Sequence, residues 1–586
     1  MASPGVSRAV RVAFVAIAVV AVAALGGLFG RRFFGASESA LPRLADGRVE
    51  GCLACHAGTR GLGGAHDPAA LGCAACHLGD VTARDADSAH RGMEILSGDL
   101  STVFATCGRA ECHVTESARV TRSLMARAPG ILAVDRFAFD ERPTPDDRPG
   151  GFPDLNGDKP PRSPAESHAR KLCGSCHLSM RKSRPGDEGF FSRGGGCAAC
   201  HLSPPDPAVS QGAARLHPDV SAAVSEKRCE GCHSRSGRVA LSYRGVVELE
   251  PTDPRVTSHL PDGRPVGSAP PDVHGKKGLT CIDCHTEREL MGDGKDHLHT
   301  SDATEIRCRD CHGPTWSTSE EPFDEDAERV ADRLRNSWKR RNMPPLPGGV
   351  PIRTSRKTAL WRTTVTKGGA AMALATTGES MSIPRAKEEP YHRLAGHARL
   401  SCQACHSQWA PRCTTCHTRF DPAGEDVDHL LGVATKGHWI ETAGGNGFGP
   451  PVLAVGPRGT IDPFVEGMTF TLEGVADWHA QAGRPRAAPT IEKTLWAPLD
   501  PHTTGPSRTC ASCHLEGTLD AVYPKTGGTT RVAARLLDAD EKARIGRVGR
   551  CIGCHPGYGD RVYSDFGDSL KRLREKAVPK CGGDPG

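Results

Sequence analysis

Aromatic side chains make up only 5% of the 586 residues, and all hydrophobic types together only 38%. That is thin for a chain long enough to build several domains around side-chain cores. Glycine and proline, at 68 and 45 residues, are abundant, and such a bias alone would suggest poor packing. No clustered Lys/Arg stripe occurs and the formal net charge is only +5, so no nucleic acid partner is expected. Spare cysteine is missing as well. All but Cys581 of the 25 cysteines belong to one repeated pattern, which leaves little for structural disulfides. Something other than apolar side chains must fill the interior.

What the chain does have is a triplet. Residues 401–420 read SCQACHSQWAPRCTTCHTRF, with Cys402, Cys405, His406 and then Cys413, Cys416, His417. Upstream stand Cys52/Cys55/His56, Cys73/Cys76/His77, Cys173/Cys176/His177, Cys197/Cys200/His201 and Cys229/Cys232/His233. Cys281/Cys284/His285 and Cys308/Cys311/His312 follow, and downstream lie Cys510/Cys513/His514 and Cys551/Cys554/His555. A stretched copy, CGRAECH, places Cys107 and Cys112 before His113.

A cysteine pair two residues apart holds zinc, exchanges disulfides or anchors haem c. Structural zinc needs four ligands, and nothing in its chemistry asks for His directly after the second Cys. A redox disulfide is one pair near a βαβ pattern, not twelve. Histidine is 26 of 586 residues, so its place after every pair is not chance. Haem c accounts for the spacing. Both thiols add to the porphyrin vinyl groups as thioethers, and the next residue lies against the ring with its imidazole in reach of iron.

On these motifs the chain resembles the multihaem c-type cytochromes. The resemblance runs from residue 52 to 555 and implies twelve covalent haems c with their iron, electron transfer between closely packed haems, and a location outside the cytoplasmic membrane. The expected fold is mainly α and irregular, wrapped around haems, with little regular secondary structure and small β-hairpin inserts. Two propionates per haem would add roughly 24 negative charges, offset by about one positive charge per ferric iron, so the loaded chain is acidic.

Twelve irons with one motif His each need twelve further ligands to be six-coordinate. The candidates are the fourteen other histidines: His66, His90, His168, His217, His259, His274, His297, His299, His392, His397, His429, His438, His479 and His502. His66 and His274 each stand seven residues before a motif, His168 and His397 five, and His502 eight. That recurrence suits distal ligands. An iron with two His ligands is closed to substrate, and His in place of Met lowers its potential. No residue is assigned a catalytic role.

Residues 12–30, VAFVAIAVVAVAALGGLFG, carry no charge over nineteen positions, with Arg8 and Arg11 before and Arg31 and Arg32 after. That length approaches a bilayer span. Ala21-Val22-Ala23 offers a signal cleavage site, but the run stays apolar beyond it, which favours an uncleaved anchor. Either reading puts the haem-bearing part in the periplasm, tethered to the cytoplasmic membrane or released.

Motif spacing divides the chain into an anchor or signal segment (1–45), a three-haem region (46–141), a Pro/Gly/Asp-rich linker (142–165), and a five-haem region (166–320). A haem-free insert (321–390), a two-haem region (391–420), a second haem-free, extended insert (421–500), another two-haem region (501–560) and a C-terminal helix and tail (561–586) follow. Helices are predicted over 114–128, ending at Pro129-Gly130, over 324–341 and in DSLKRLREKAV, and a hairpin around Lys367-Gly368-Gly369. The expected function is electron transfer from a quinol-linked membrane donor to periplasmic or outer-membrane redox partner proteins, in anaerobic or extracellular respiration. The alternatives are a multihaem reductase or oxidase with one open haem, or a haem-bearing filament subunit. Nitrite-reducing families often carry a motif ending in Lys, and none here does.

Overall fold

The computed structural model describes residues 40–575 except 149, 156–158, 183–192, 204–215, 223, 236, 319–349, 388–391, 393, 485–488, 516–528, 532–534, 553 and 556–559. The apolar run 12–30 and the helix read over 324–341 lie outside the described residues. Among those described, no helix is long and apolar enough to cross a membrane.

The chain forms two compact units. The smaller comprises residues 1–60, 66–93 and 213–215. It is made of one-turn helices, Cys52–Cys55, Pro68–Leu71, Ala74–His77 and Ala86–Ala89. Asp67 and Asp85 cap two of them by accepting from Ala69 N and Ser88 N. Isolated bridges, Arg43 with Val49 and Leu78 with Met93, tie its loops.

The larger unit holds the remainder, and it corrects the expectation of a mainly helical and irregular fold. Its strands form six sheets among the described residues. β1 (Leu202–Ser203) pairs β2 (Asp219–Val220). β3 (Val246–Glu248) and β4 (Ser258–His259) flank β5 (Pro265–Ser268). β6 (Val350–Arg353), β7 (Ala359–Thr366), β8 (Gly369–Ala373) and β9 (Ser380–Ile383) make an antiparallel four-stranded sheet, so the stretch read as a hairpin is three strands of a larger unit. β10 (Ala410–Arg412) pairs β13 (Gly447–Gly449), and β14 (Val452–Val455) pairs β15 (Ile461–Phe464).

The largest sheet is mixed, in the order β12-β11-β16-β17-β18. It joins β11 (Thr415–Asp428), β12 (Val433–Gly444), β16 (Met468–Glu473), β17 (Ile491–Trp496) and β18 (Thr529–Arg531). β11 runs parallel to β16 and antiparallel to β12. The reason is a period of two: from Thr415 to Phe420 exposed and buried residues alternate. Cys416, Phe420, Trp439, Phe470 and Leu472 thereby reach one face, where Val475 and Trp478 of helix Val475–Gln481 close the cluster. The segment 421–500 contributes paired strands and the helix Val475–Gln481.

Most of the described helices are one or two turns long. The stretch 114–128 contains two, Val114–Val120 and Leu124–Arg127. Pro129 does not end the segment: it occupies the first position of helix Pro129–Ala138, where its missing N–H costs nothing. The C-terminal helix spans Phe566–Glu575. Buried apolar residues gather in several small clusters instead of one core.

Candidate metal centres

The motifs are local turns. In most, the His N–H closes back on the first Cys carbonyl: His56 on Cys52 (2.8 Å), His77 on Cys73 (2.9 Å), His285 on Cys281 (2.9 Å), His514 on Cys510 (2.9 Å) and His555 on Cys551 (2.8 Å). The stretched copy achieves the same closure, His113 N to Cys107 O at 2.9 Å, with Cys112 N bonded to Arg109 O (2.9 Å), so its two extra residues loop out. Helices Cys197–His201, Lys227–His233, Cys308–His312 and Cys402–His406 contain four further motifs whole. Cys173 ends a π-helical turn, Ala169–Cys173, and Cys176 N bonds back to its carbonyl (3.4 Å). One turn thus groups two thiols and an imidazole. The pair Cys413/Cys416 with His417 departs from this, because Cys416 and His417 lie in strand β11.

Five motif histidines face a second histidine from elsewhere in the chain. In the smaller unit His56 faces His90, with ring centroids 6.2 Å apart. In the larger unit the pairs are His312 with His274 (5.9 Å), His285 with His502 (6.1 Å), His406 with His392 (6.4 Å) and His514 with His397 (6.0 Å). Ring contacts elsewhere in the chain run from 4.4 Å (Phe152 with His177) to 6.4 Å (Tyr243 with His502), and what sets these five apart is that each pairs a motif imidazole with another imidazole. Two metal–nitrogen bonds of about 2 Å, with two ring radii of about 1.2 Å, give about 6 Å. The spacing fits one ion held between two imidazoles.

Hydrogen bonding selects the nitrogen that ligates. A carbonyl can only accept, so a ring bonded to one through Nδ1 carries its proton there and presents the Nε2 lone pair. His201 donates to Ser221 O (2.8 Å), His312 to Pro384 O (2.7 Å), His406 to Gly505 O (3.1 Å) and His514 to Ile545 O (2.8 Å). Carboxylates do the same at His285, to Glu289 Oε2 (2.7 Å), and at His555, near Asp560 Oδ2 (3.2 Å). On the opposing side His392 donates to Lys387 O (2.9 Å) and His274 to Asp272 Oδ1 (2.9 Å), and His502 Nδ1 lies 3.2 Å from Asp500 Oδ1. Burial pushes the motif imidazoles His177 and His233 down to about 4, and lowers His201, His312 and His514. Each is held neutral, the form that binds a metal. Asp500 acts the other way on His502: its charge outweighs burial and raises that ring to about 9.

The other candidates are placed as follows. His168 is buried, with Nδ1 2.8 Å from Asp135 Oδ1 and no hydrogen-bond partner at Nε2. Nε2 of His177 is likewise buried without one. His429 follows β11 and lies beside the turn of that motif, its N–H donating to Arg170 O (3.1 Å). An ion pair between Arg170 and Asp428 (2.7 Å), both buried, holds it there. His297 and His299 instead direct Nε2 at Asp293 (3.0 Å) and Asp146 (3.1 Å). His438 Nε2 is 3.9 Å from Asp426. His259 is in β4, His479 packs on Trp478, His66 ends the turn Gly64–His66, and His217 donates to Pro218 O (2.5 Å). Sequence reasoning missed Asp272 and Asp500. Their signal was present, since each stands two residues before a candidate His.

Motif sulfurs from different parts of the chain also meet. Cys107 touches Cys197, Cys176 touches Cys232, Cys229 touches Cys281, and Cys308 touches Cys402. Cys200 neighbours Cys229, Cys284 neighbours Cys311, and Cys405 neighbours Cys513. These contacts string the motifs beginning at 107, 197, 229, 281, 308, 402 and 510 into one series, with the motif at 173 branching from that at 229. In the smaller unit Cys52 neighbours Cys73.

At one position the structure disagrees with the thioether expected from the motif. Cys554 is disulfide-bonded. A sulfur already in an S–S bond has no thiol to add to a vinyl group, so the expectation is corrected there, and the chain does contain a disulfide despite its few spare cysteines. The backbone turn is intact, with Cys554 N bonded to Cys551 O (3.1 Å); haem attachment at 551–555 requires that bond to be reduced first. Cys76 sits inside the one-turn helix Ala74–His77, its N–H bonded to Cys73 O (3.1 Å).

Zinc requires a closer gathering of ligands. Among the described residues no group of three or more His, Cys, Asp or Glu is placed to hold a metal ion. An axial pair needs only two, with a macrocycle supplying the rest. No protein-family model, curated protein or solved structure matches this chain.

Proposed function

We propose that this protein is a multihaem c-type cytochrome that relays electrons from a quinol-linked membrane donor to periplasmic or outer-membrane redox proteins. The observation that carries the reading is the set of five His–His pairs at 5.9–6.4 Å, each joining a motif His to a His outside any motif. Haem, when bound, supplies reversible one-electron chemistry at iron. The chain's residues do the rest. Motif cysteines fix the ring, and paired imidazoles occupy both axial positions. Backbone carbonyls, Glu289, Asp272 and Asp500 orient those imidazoles. Touching sulfurs bring the edges of successive rings together. The small, separate apolar clusters agree with an interior completed by macrocycles. The membrane tether rests on residues 12–30 alone.

Purified from a host that matures cytochromes c, the chain should give a haemochrome spectrum with many haems per polypeptide and low-spin ferric EPR signals of bis-imidazole type. Colourless protein, or zinc bound at the motif thiols, overturns the proposal.

A further inference from the structure

One motif breaks the pattern in its backbone. Cys416 and His417 are consecutive residues of β11, in register with Ala443 and Thr442 of β12 and with Phe470 and Thr471 of β16. Consecutive strand residues point to opposite faces of a sheet. Exposure shows the split: Cys416 is 3% exposed, whereas the His417 side chain is 50% exposed. The Cys416 thiol sits in the cluster of Phe420, Trp439 and Phe470 and donates to Glu441 Oε1 at 3.0 Å. His417 Nε2, on the other face, lies 3.2 Å from Glu473 Oε1. Cys413 precedes the strand, and Thr414 already bonds to Gly444 O (3.2 Å) in continuation of the ladder. Three extended residues span roughly 10 Å, which also exceeds the reach of a disulfide.

A haem c needs two thioethers and an iron ligand converging on one ring. Here a five-stranded sheet separates the second sulfur from the imidazole, and the sulfur faces a filled aromatic cluster. These residues do not fit the group. The case differs from Cys554, where reduction alone would free a sulfur in an otherwise intact turn. We propose that the CTTCH motif at 413–417 carries no haem and that this segment is a structural strand. Cys416 acts there as a small core residue, and His417 makes a polar contact with Glu473 across the parallel strands β11 and β16. The inference rests on the multihaem reading and lowers its count below twelve.

Arg412 and Arg419 flank the motif, so trypsin releases it as one peptide, 413–419. The test denatures the loaded protein, alkylates it with iodoacetamide, digests it and maps the peptides by mass. Expected is a 413–419 peptide with two alkylated cysteines and no haem, and an intact mass short of twelve haems. The variant Cys413→Ala should keep the haem content per chain unchanged. A haem-bearing 413–419 peptide, or an intact mass corresponding to twelve haems, overturns the inference and leaves the cytochrome reading standing. Absence of haem from every motif peptide sinks the cytochrome reading and this inference with it.

Discussion

Asp272 holds the surroundings of two of the paired histidines, His274 and His502, at once. Its carboxylate is 2% exposed. It accepts from His274 N (2.9 Å), His274 Nδ1 (2.9 Å) and Thr504 N (2.6 Å). It thereby orients His274 toward His312 and pins the segment that carries His502. Hydrogen bonds to a charged group contribute about 1.5–3 kcal/mol each, and burying the carboxylate offsets part of that. Asp272→Ala removes three acceptors' worth of bonding and leaves buried N–H groups unpaired, for a net loss of about 3–5 kcal/mol. Burial alone would raise this carboxyl, but the bonds from His274 and Thr504 outweigh it and hold it below the usual range. Its stabilisation is therefore present above about pH 4 and lost as pH falls through the depressed folded value. Thermal unfolding of holoprotein should show a gap between wild type and variant that is full at pH 7 and narrows in acid. Asp272→Asn, which keeps an acceptor oxygen but not the charge, should lie between them. EPR should show the low-spin signal of one or two haems broadened or replaced by high-spin iron. Unchanged melting together with an unchanged EPR spectrum would refute the reasoning.

Replacing His502 by Met should raise the potential of a single haem, on the order of 100 mV within the roughly 0.8 V that axial ligands span. A spectroelectrochemical titration that shows no component shifted would deny His502 its pairing with His285. Glu248 in β3 binds Arg238 (2.7 Å) and Arg264 (2.9 Å), and despite burial these cations lower its carboxyl. Glu248→Gln should cost about 2–3 kcal/mol at neutral pH, with the deficit shrinking as pH falls below about 4.3, read from denaturant midpoints across pH. Gly437 has φ +85°, and a Cβ there would come 2.5 Å from Phe420 Cζ. Gly437→Ala should therefore destabilise the β11–β12 hairpin by about 2–4 kcal/mol, seen as a lower melting temperature with haem content retained.

The one-turn grouping of Cys, Cys and His was legible because it is local: a span of five residues closes its own hydrogen bond, as His285 does on Cys281. Even CGRAECH could be read this way, since its spare residues loop out. The carboxylates at Asp272 and Asp500 are equally local, two residues before His274 and His502. The disulfide at Cys554 was not legible, because a motif's spacing says nothing of which other sulfur it meets. The sheet was half-legible. Alternation in TCHTRF marks a strand, but pairing β11 with both β12 and β16 depends on where Trp439 and Phe470 come to rest. That pairing places Cys416 and His417 on opposite faces, against the pattern that the letters CTTCH display.

Composition and spacing alone determined that apolar side chains are scarce in this chain and that a turn of two cysteines and a histidine recurs along its length. Only tertiary structure decided that His285 meets His502, that His397 faces His514, and that one copy of the turn is a strand. A turn is set by bonds between residues a few positions apart, and sequence records those directly. The second imidazole arrives by loop closure over long separations, whose outcome is set by packing across the whole unit and leaves no local period to read.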